Sequence, residues 1–392
     1  MAIVNLGTYP PKQCGIATFS MDLRNSLLRN GNDVKVMAVS DDSYKYRYPG
    51  EVIFKLKQNH RQDYIKGAKI LNTSPMADIL IIQHEYGIYG GQDGEYILDL
   101  VKLLHKPFVL VTHTVLPQPS KRQKQVLNEL CFQATGIICM TRRSAKLLAD
   151  LYEAPPELIH VIAHGVPEFE KQAAESLKQK YDLQGQDIIS TFGLIGPGKG
   201  LELGIKAMAK VVPEFPRATY LILGQTHPML KKYEGEKYRQ MLEALVDELG
   251  LIQNVTFVNK YLSNEELGEY LYMSDIYLSP YPNKDQAVSG TMAFAIGCGR
   301  AIVSTPYAYA CEFLDRGRGL LANNADPDEL AHLLIKILSE PELKMKLQKE
   351  ALKLGRSWIW PNIGKKYTSL LTQLMAEDDS SREEQKVNYA RL

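Results

Sequence analysis

Residues Thr191 to Gly200 read Thr-Phe-Gly-Leu-Ile-Gly-Pro-Gly-Lys-Gly, a glycine-rich turn carrying one lysine. Glycines let backbone amides approach a ligand closely, a helix start beyond them leaves N–H groups unpaired, and Lys199 adds a positive charge. Together they suit a phosphate. A tight turn with a solvated lysine fits the same letters. A second stretch, Gln286-Ala287-Val288-Ser289-Gly290-Thr291, offers two hydroxyls and a bare backbone at Gly290 where an apolar helix begins, its positive dipole end outward. Taken alone it also reads as an ordinary Ser/Thr helix cap. Two such turns in one half of the chain are better explained jointly, as a cradle for a diphosphate.

Other polar residues stand where strands end. Gln83-His84-Glu85-Tyr86-Gly87 and Thr112-His113-Thr114 each follow an apolar run, which puts His84, Glu85 and His113 at the rim of one sheet, facing a ligand crevice. Tyr9 to Thr18 is a loop whose Gly15 opens a helix. His164, in Ile162 to Pro167, either touches a ligand or caps a hinge. Ser120 to Lys124 is a short basic patch at a helix start; without aromatics to accompany it, it reads as a solvated face.

Positioning these groups requires alternating strands and helices, the pattern of parallel sheets covered on both faces. The first half predicts strands at Ala2 to Leu6, Val34 to Val39, Ile79 to Gln83, Phe108 to Thr112, Gly136 to Met140 and Leu158 to Ile162. A polar stretch, Glu168 to Gln186, interrupts the pattern. It restarts with strands at Ile188 to Phe192, Ala218 to Leu223, Val255 to Val258, Ile276 to Ser279 and Ala301 to Ser304. The expected fold class is therefore α/β, two Rossmann-like doubly wound domains with a cleft between them. The expected domains are 1–167 and 168–354, with a helix at 355–375 that packs back and a mobile tail at 376–392.

In a chain of 392 residues, 46 Lys plus Arg against 45 Asp plus Glu give no global field to recruit nucleic acid or an anionic membrane. Five cysteines without metal-ligand spacing point to reduced thiols. The start, Met1 to Leu6, has no basic run followed by an apolar one, so the expectation is a cytoplasmic protein.

On the loops Gly193 to Gly200 and Gln286 to Val303, the chain resembles the retaining family-four glycosyltransferases of GT-B fold over essentially its whole length. It is most similar to a bacterial branch with Gly-Pro-Gly-Lys-Gly, Gly-x-Thr-His-Pro (Gly224 to Pro228) and Ser-Gly-Thr turns. Leu194 replaces the family's usual diphosphate-binding arginine, and Gln286 and Phe294 replace two glutamates that commonly hold the donor. The resemblance implies a nucleotide-diphosphate sugar donor bound by Gly15, Lys199, Gln286, Ser289, Gly290 and Thr291. Tyr261 would lie near the base and Glu312 near the ribose.

It further implies His113 beside the donor sugar as a catalytic residue with Lys199, and His84 and Glu85 on the side of a glycan or other hydroxyl acceptor. No cofactor, metal or nucleic acid is expected; mannose from GDP-mannose is the favoured donor, glucose next, with retention of anomeric configuration. A sugar-nucleotide hydrolase or epimerase, or a non-catalytic glycan-binding module, would share this scaffold.

Overall fold

The computed structural model describes the backbone of residues 1–41 and 44–390 and the side chains of 1–41 and 44–377. The chain divides into two compact units, one formed by Met1–Gly165 with Trp360–Leu392 and the other by Val166–Ile359.

The first unit holds seven strands: β1 (Ala2–Gly7), β2 (Asp33–Ser40), β3 (Val52–Lys57), β4 (Ile79–His84), β5 (Phe108–Thr112), β6 (Gly136–Cys139) and β7 (Ile159–Val161). All pair in parallel, in the order β3-β2-β1-β4-β5-β6-β7. Central strands covered on both faces read as unbroken apolar runs, and β4, Ile-Leu-Ile-Ile-Gln-His, is buried at every position. Strand β3 was not expected from the sequence. It is an edge strand with Lys55 and Lys57 exposed, so it lacks the signature of its buried neighbours.

The helix Gly15–Arg29 lies beside β1, burying Ala17, Phe19, Leu23 and Leu27 at helical spacing. The final helix, Trp360–Ala390, belongs to this unit and packs on it. Ser26 Oγ donates to the Trp360 carbonyl and Asn32 Nδ2 to Thr368 Oγ1 at 3.0 Å. A Cβ at Gly364 would sit 2.0 Å from Ser26 Oγ, so the two helices touch backbone to side chain. That helix runs on to Ala390, through most of the stretch read as a tail, whose last residues, 391–392, lie outside the described residues.

The second unit has β8 (Asp187–Phe192), β9 (Ala218–Leu223), β10 (Val255–Val258), β11 (Ile276–Ser279), β12 (Ala301–Ser304) and the two-residue β13 (Leu320–Leu321). They are parallel, in the order β10-β9-β8-β11-β12-β13. The α/β, doubly wound class expected from the sequence is what both units show. Each sheet reverses its winding once, between β1 and β4 and between β8 and β11. At such switch points the loops leaving neighbouring strands part to opposite faces and open a crevice at the carboxyl ends.

Gly193 and Gly224, at the ends of β8 and β9, have φ of 126° and 139°. A Cβ on Gly224 would lie 2.1 Å from the Gly193 carbonyl oxygen. Gly224→Ala is therefore expected to cost about 1–3 kcal/mol from backbone strain alone, more with the clash, read as a lowered urea midpoint. An unchanged midpoint would remove the close approach from the account of this rim.

Candidate functional site

In the second unit the two glycine-containing turns meet at the β8/β11 switch point. After β8 the chain passes through the short 3-10 turn Pro197–Lys199 to Gly200, which caps the helix Leu201–Val211 at φ 60°. A Cβ on Gly200 would fall 2.1 Å from the Pro280 carbonyl, just beyond β11, so only glycine lets the two loops close on each other.

That contact delivers Lys199 to the β11 side. Its Nζ donates to the Tyr281 hydroxyl at 2.5 Å and lies 4.5 Å from the centre of that ring. The Tyr281 oxygen is 2.7 Å from Thr291 Oγ1, which is 3.2 Å from Ser289 Oγ. Ser289 caps the helix Gly290–Gly297, accepting from the Met292 amide at 3.3 Å. Gly193 closes the group, since a Cβ there would be 3.2 Å from Lys199 Nζ and 3.3 Å from Thr291 Cγ2. One ammonium, three hydroxyls, bare backbone and a helix start thus share one corner of the sheet. Such a set stabilises a bound oxyanion.

Burial pushes the Tyr281 phenol up, but the Lys199 charge and hydrogen bond, with the Thr291 and Ser289 hydroxyls, outweigh it and hold the phenol below its ordinary value.

The other donor-side residues are placed less tightly. Gln286 turns its carboxamide back to donate to the Val288 carbonyl at 2.8 Å. Tyr261, 47% exposed, follows β10, and Glu312 lies in the helix Ala308–Phe313 after β12. Each of these strands is two from β8, about 10 Å along the sheet edge. Phe294 is buried, its ring 6.0 Å from Phe192 and 5.8 Å from Phe169.

In the first unit, β4 and β5 end in a buried polar network. Asn5 Nδ2 donates to the Ser20 carbonyl at 3.4 Å, and Gln83 Nε2 to Asn5 Oδ1 at 2.9 Å. Gln83 Oε1 therefore faces His113 Nε2 at 2.8 Å. With an acceptor in front of it, Nε2 carries the ring proton and Nδ1 is left as an acceptor, a tautomer assigned from the network. The His113 ring stands edge-on to Phe19, 4.9 Å away at 87°, and Phe19 also meets His164 and Trp360, each at 5.1 Å. His164 Nδ1 donates to the Gly165 carbonyl at 2.7 Å.

His84 is buried and its Nδ1 has no partner. The Glu85 carboxylate accepts from Thr114 Oγ1 at 2.5 Å and from the Tyr86 amide at 3.0 Å; burial pushes its pKa up against both bonds. Gly15 opens its helix behind Cys14, whose Sγ caps the Ala17 amide at 3.4 Å and sits 3.2 Å from Thr8 Oγ1.

Burial pulls His113 down to about 3, with His164 and His84 adding to it, and holds His84 and His164 at about 4, against 6.5 for a free imidazole. Between pH 6.5 and those values the unfolded chain binds protons that the folded chain refuses. The stability these rings supply is complete above 6.5 and falls as the pH drops through that window, by on the order of 3–5 kcal/mol per ring at most. Urea midpoints should fall from pH 7.5 to 5, with a shallower slope in His113→Gln. Equal slopes in the two proteins would contradict the burial of a neutral ring.

Sequence reasoning named Lys199, Ser289 and Thr291 but passed over Tyr281 and Asn5, and gave Gln83 no role. The available signals were a polar residue inside an apolar strand, for Asn5 and Gln83, and an aromatic directly after β11, for Tyr281. The absence of aromatics assumed for the basic patch is corrected. The helix Lys121–Gln133 carries Phe132, 85% exposed, which with Lys121, Lys124, Gln125 and Asn128 lines a shallow surface depression.

Among the described residues no helix is long and apolar enough to cross a membrane.

Two family models match the chain: "Glycosyltransferase Family 4" over residues 14–168 and "Glycosyl transferases group 1" over 173–354. The 2-deoxystreptamine glucosyltransferase of Streptomyces kanamyceticus is 26% identical over 239 residues, 59% of this chain and 57% of that relative. The D-inositol 3-phosphate glycosyltransferase of Jonesia denitrificans is 25% identical over 62% of this chain and 58% of its own length. The chain thus spans less than two thirds of these curated relatives.

Among solved structures, sucrose-phosphate synthase from Thermosynechococcus elongatus superposes with a TM-score of 0.80 at 17% identity, covering 96% of this chain and 99% of that one. Anabaena HepE in complex with UDP and glucose gives 0.76 at 16%, covering 95% and 100%. At these identities the likeness shows the fold.

Proposed function

The chain belongs to the group 1 glycosyl transferases, of GT-B fold, and from that premise we propose that it moves a hexose from a nucleotide-diphosphate sugar to the hydroxyl of a glycan or other acceptor. The observation that carries this reading is the junction of Lys199, Tyr281, Thr291 and Ser289 at the β8/β11 switch point.

Breaking the glycosidic bond leaves negative charge on the β-phosphate. Groups already aimed at that charge lower the barrier without reorganising. Lys199 meets it with an ammonium, and the N–H groups opening the helix Gly290–Gly297 meet it with a positive dipole end. The reading needs no divalent ion, so turnover in the presence of EDTA is expected. Gln286 serves the sugar, with Tyr261 and Glu312 further along the rim for the base and ribose.

His113, neutral with Nδ1 as an acceptor, holds a sugar hydroxyl; held at about 3, it is unsuited to act as a proton carrier near neutrality. The unpartnered Nδ1 of His84 and the carboxylate of Glu85 serve the acceptor side. Transfer proceeds with retention by same-face attack, the departing phosphate oxygen taking the acceptor proton.

Incubation with GDP-mannose, UDP-glucose and other nucleotide sugars, with and without glycan acceptors, tests the proposal. Release of nucleoside diphosphate only when acceptor is present supports transfer. Free sugar or an epimer formed without acceptor would make the protein a hydrolase or epimerase. GDP-mannose is the sequence expectation for the donor, and UDP-glucose answers to the UDP and glucose held by the Anabaena neighbour.

A further inference from the structure

Lysine is a flexible point charge, and a ligand that must first order it binds more weakly. Here Lys199 is already ordered, by a phenol that itself cannot move. Tyr281 is 4% exposed, and its ring stacks on Tyr307 with centroids 5.1 Å apart at 18°. Tyr307 is anchored in turn by Ser279 Oγ at 2.7 Å, and the Tyr281 carbonyl accepts from Thr305 Oγ1 at 2.5 Å. The hydroxyl on this fixed ring joins the loop after β8, through Lys199, to the helix start after β11, through Thr291.

We propose that Tyr281 is the positioning residue of the diphosphate site, its buried hydroxyl holding the Lys199 ammonium and the Thr291 hydroxyl in the register a pyrophosphate requires. The inference rests on the donor-site reading above. Lys199 donates to the phenol oxygen, the phenol and Thr291 hydroxyls share one hydrogen bond, Thr291 and Ser289 share the next, and Ser289 Oγ also takes the Met292 N–H. Two ammonium hydrogens then remain to be given to phosphate oxygens. Tyr281 acts through these groups, by fixing where their donors stand.

The test is calorimetric titration of the full chain with UDP and GDP, and with uridine and guanosine, which lack the phosphates. Tyr281→Phe keeps the ring and its stack and removes only the hydroxyl. It should raise the Kd for the diphosphate that the wild type binds by roughly ten-fold, leave binding of the matching nucleoside unchanged, and melt within a few degrees of wild type. In a Lys199→Ala background the same change should weaken diphosphate binding less than about two-fold, because the charged group of the two it positions is gone. If Tyr281→Phe does not fold, Thr291→Val, which removes the phenol's other partner, takes its place with the same expectations.

Unaltered diphosphate binding by Tyr281→Phe, or an equal loss for nucleoside and diphosphate, would overturn the proposal. If Lys199→Ala loses diphosphate affinity while Tyr281→Phe keeps it, the donor site stands and the role of Tyr281 falls. If the wild type binds neither UDP nor GDP, both fall together.

Discussion

Lys199→Ala is expected to lower kcat by two to three orders of magnitude, about 3–4 kcal/mol of transition-state stabilisation, while the protein stays folded. The side chain is half-buried and lies on a rim loop, so its loss opens no large cavity. Its ammonium is 2.5 Å from a buried phenol, where the loop after β8 closes on the loop after β11. Removing it strips the site of its fixed full charge, and the dipole of one short helix cannot make that up. Arginine should restore only part of the rate, since the corner beside Gly193 is shaped for a compact ammonium. Steady-state kinetics with the donor identified by the panel, alongside a circular-dichroism melt, decide the matter. Activity within three-fold of wild type would take Lys199 out of the mechanism.

The largest expected effect on stability is far from that rim. Asp275, at the head of β11, accepts from Lys178 Nζ at 2.8 Å, Lys344 Nζ at 2.9 Å and the Ile188 amide at 2.9 Å. Burial pushes this carboxyl up, yet the two ammonium groups and the amide together hold it below 3.8. The Lys178 side chain is only 6% exposed, so Asp275→Ala leaves a buried ammonium whose remaining partners are the Gln186 carbonyl at 2.8 Å and the exposed Glu175 carboxylate at 4.0 Å. A cost of about 3–5 kcal/mol follows, measured by urea unfolding.

The sign of its pH dependence is fixed by the depressed value. The carboxylate contributes fully above its unfolded pKa of 3.8 and loses its contribution as the pH falls through the lower folded one. The gap between wild type and Asp275→Asn should therefore be widest near neutrality and narrow in acid. A gap independent of pH would mean that the charge of Asp275 is not what stabilises the fold.

The buried strands were legible because each is covered on both faces and so appears as a short apolar run; β5, β9, β11 and β12 fall where the sequence puts them, as does the edge strand β10, which keeps Val255, Phe257 and Val258 although Thr256 is exposed. Strand β3 was hidden by its lysines and β13 by its two-residue length. The site was legible where glycines and hydroxyls cluster along the chain, as around Lys199 and Ser289. It was not legible where the partner is distant in sequence. Tyr281 is 82 residues from Lys199, and Gln83 is 78 from Asn5. Only the strand order, which sets β8 beside β11 and β1 beside β4, makes them neighbours. Histidine protonation was also beyond the sequence, since it depends on which face of a neighbouring amide is already occupied.

The second unit enters at Val166 and leaves at Ile359, and these two residues form a parallel bridge, with the Val166 amide donating to the Trp358 carbonyl at 2.8 Å. Its two ends are thus clasped together, as in a cassette spliced into a host at a single point. Ends that already meet ask little of whatever chain joins them. Residues 166–359 should therefore be exchangeable as a block between relatives, carrying donor preference with them, and should survive being cut free with both new termini side by side.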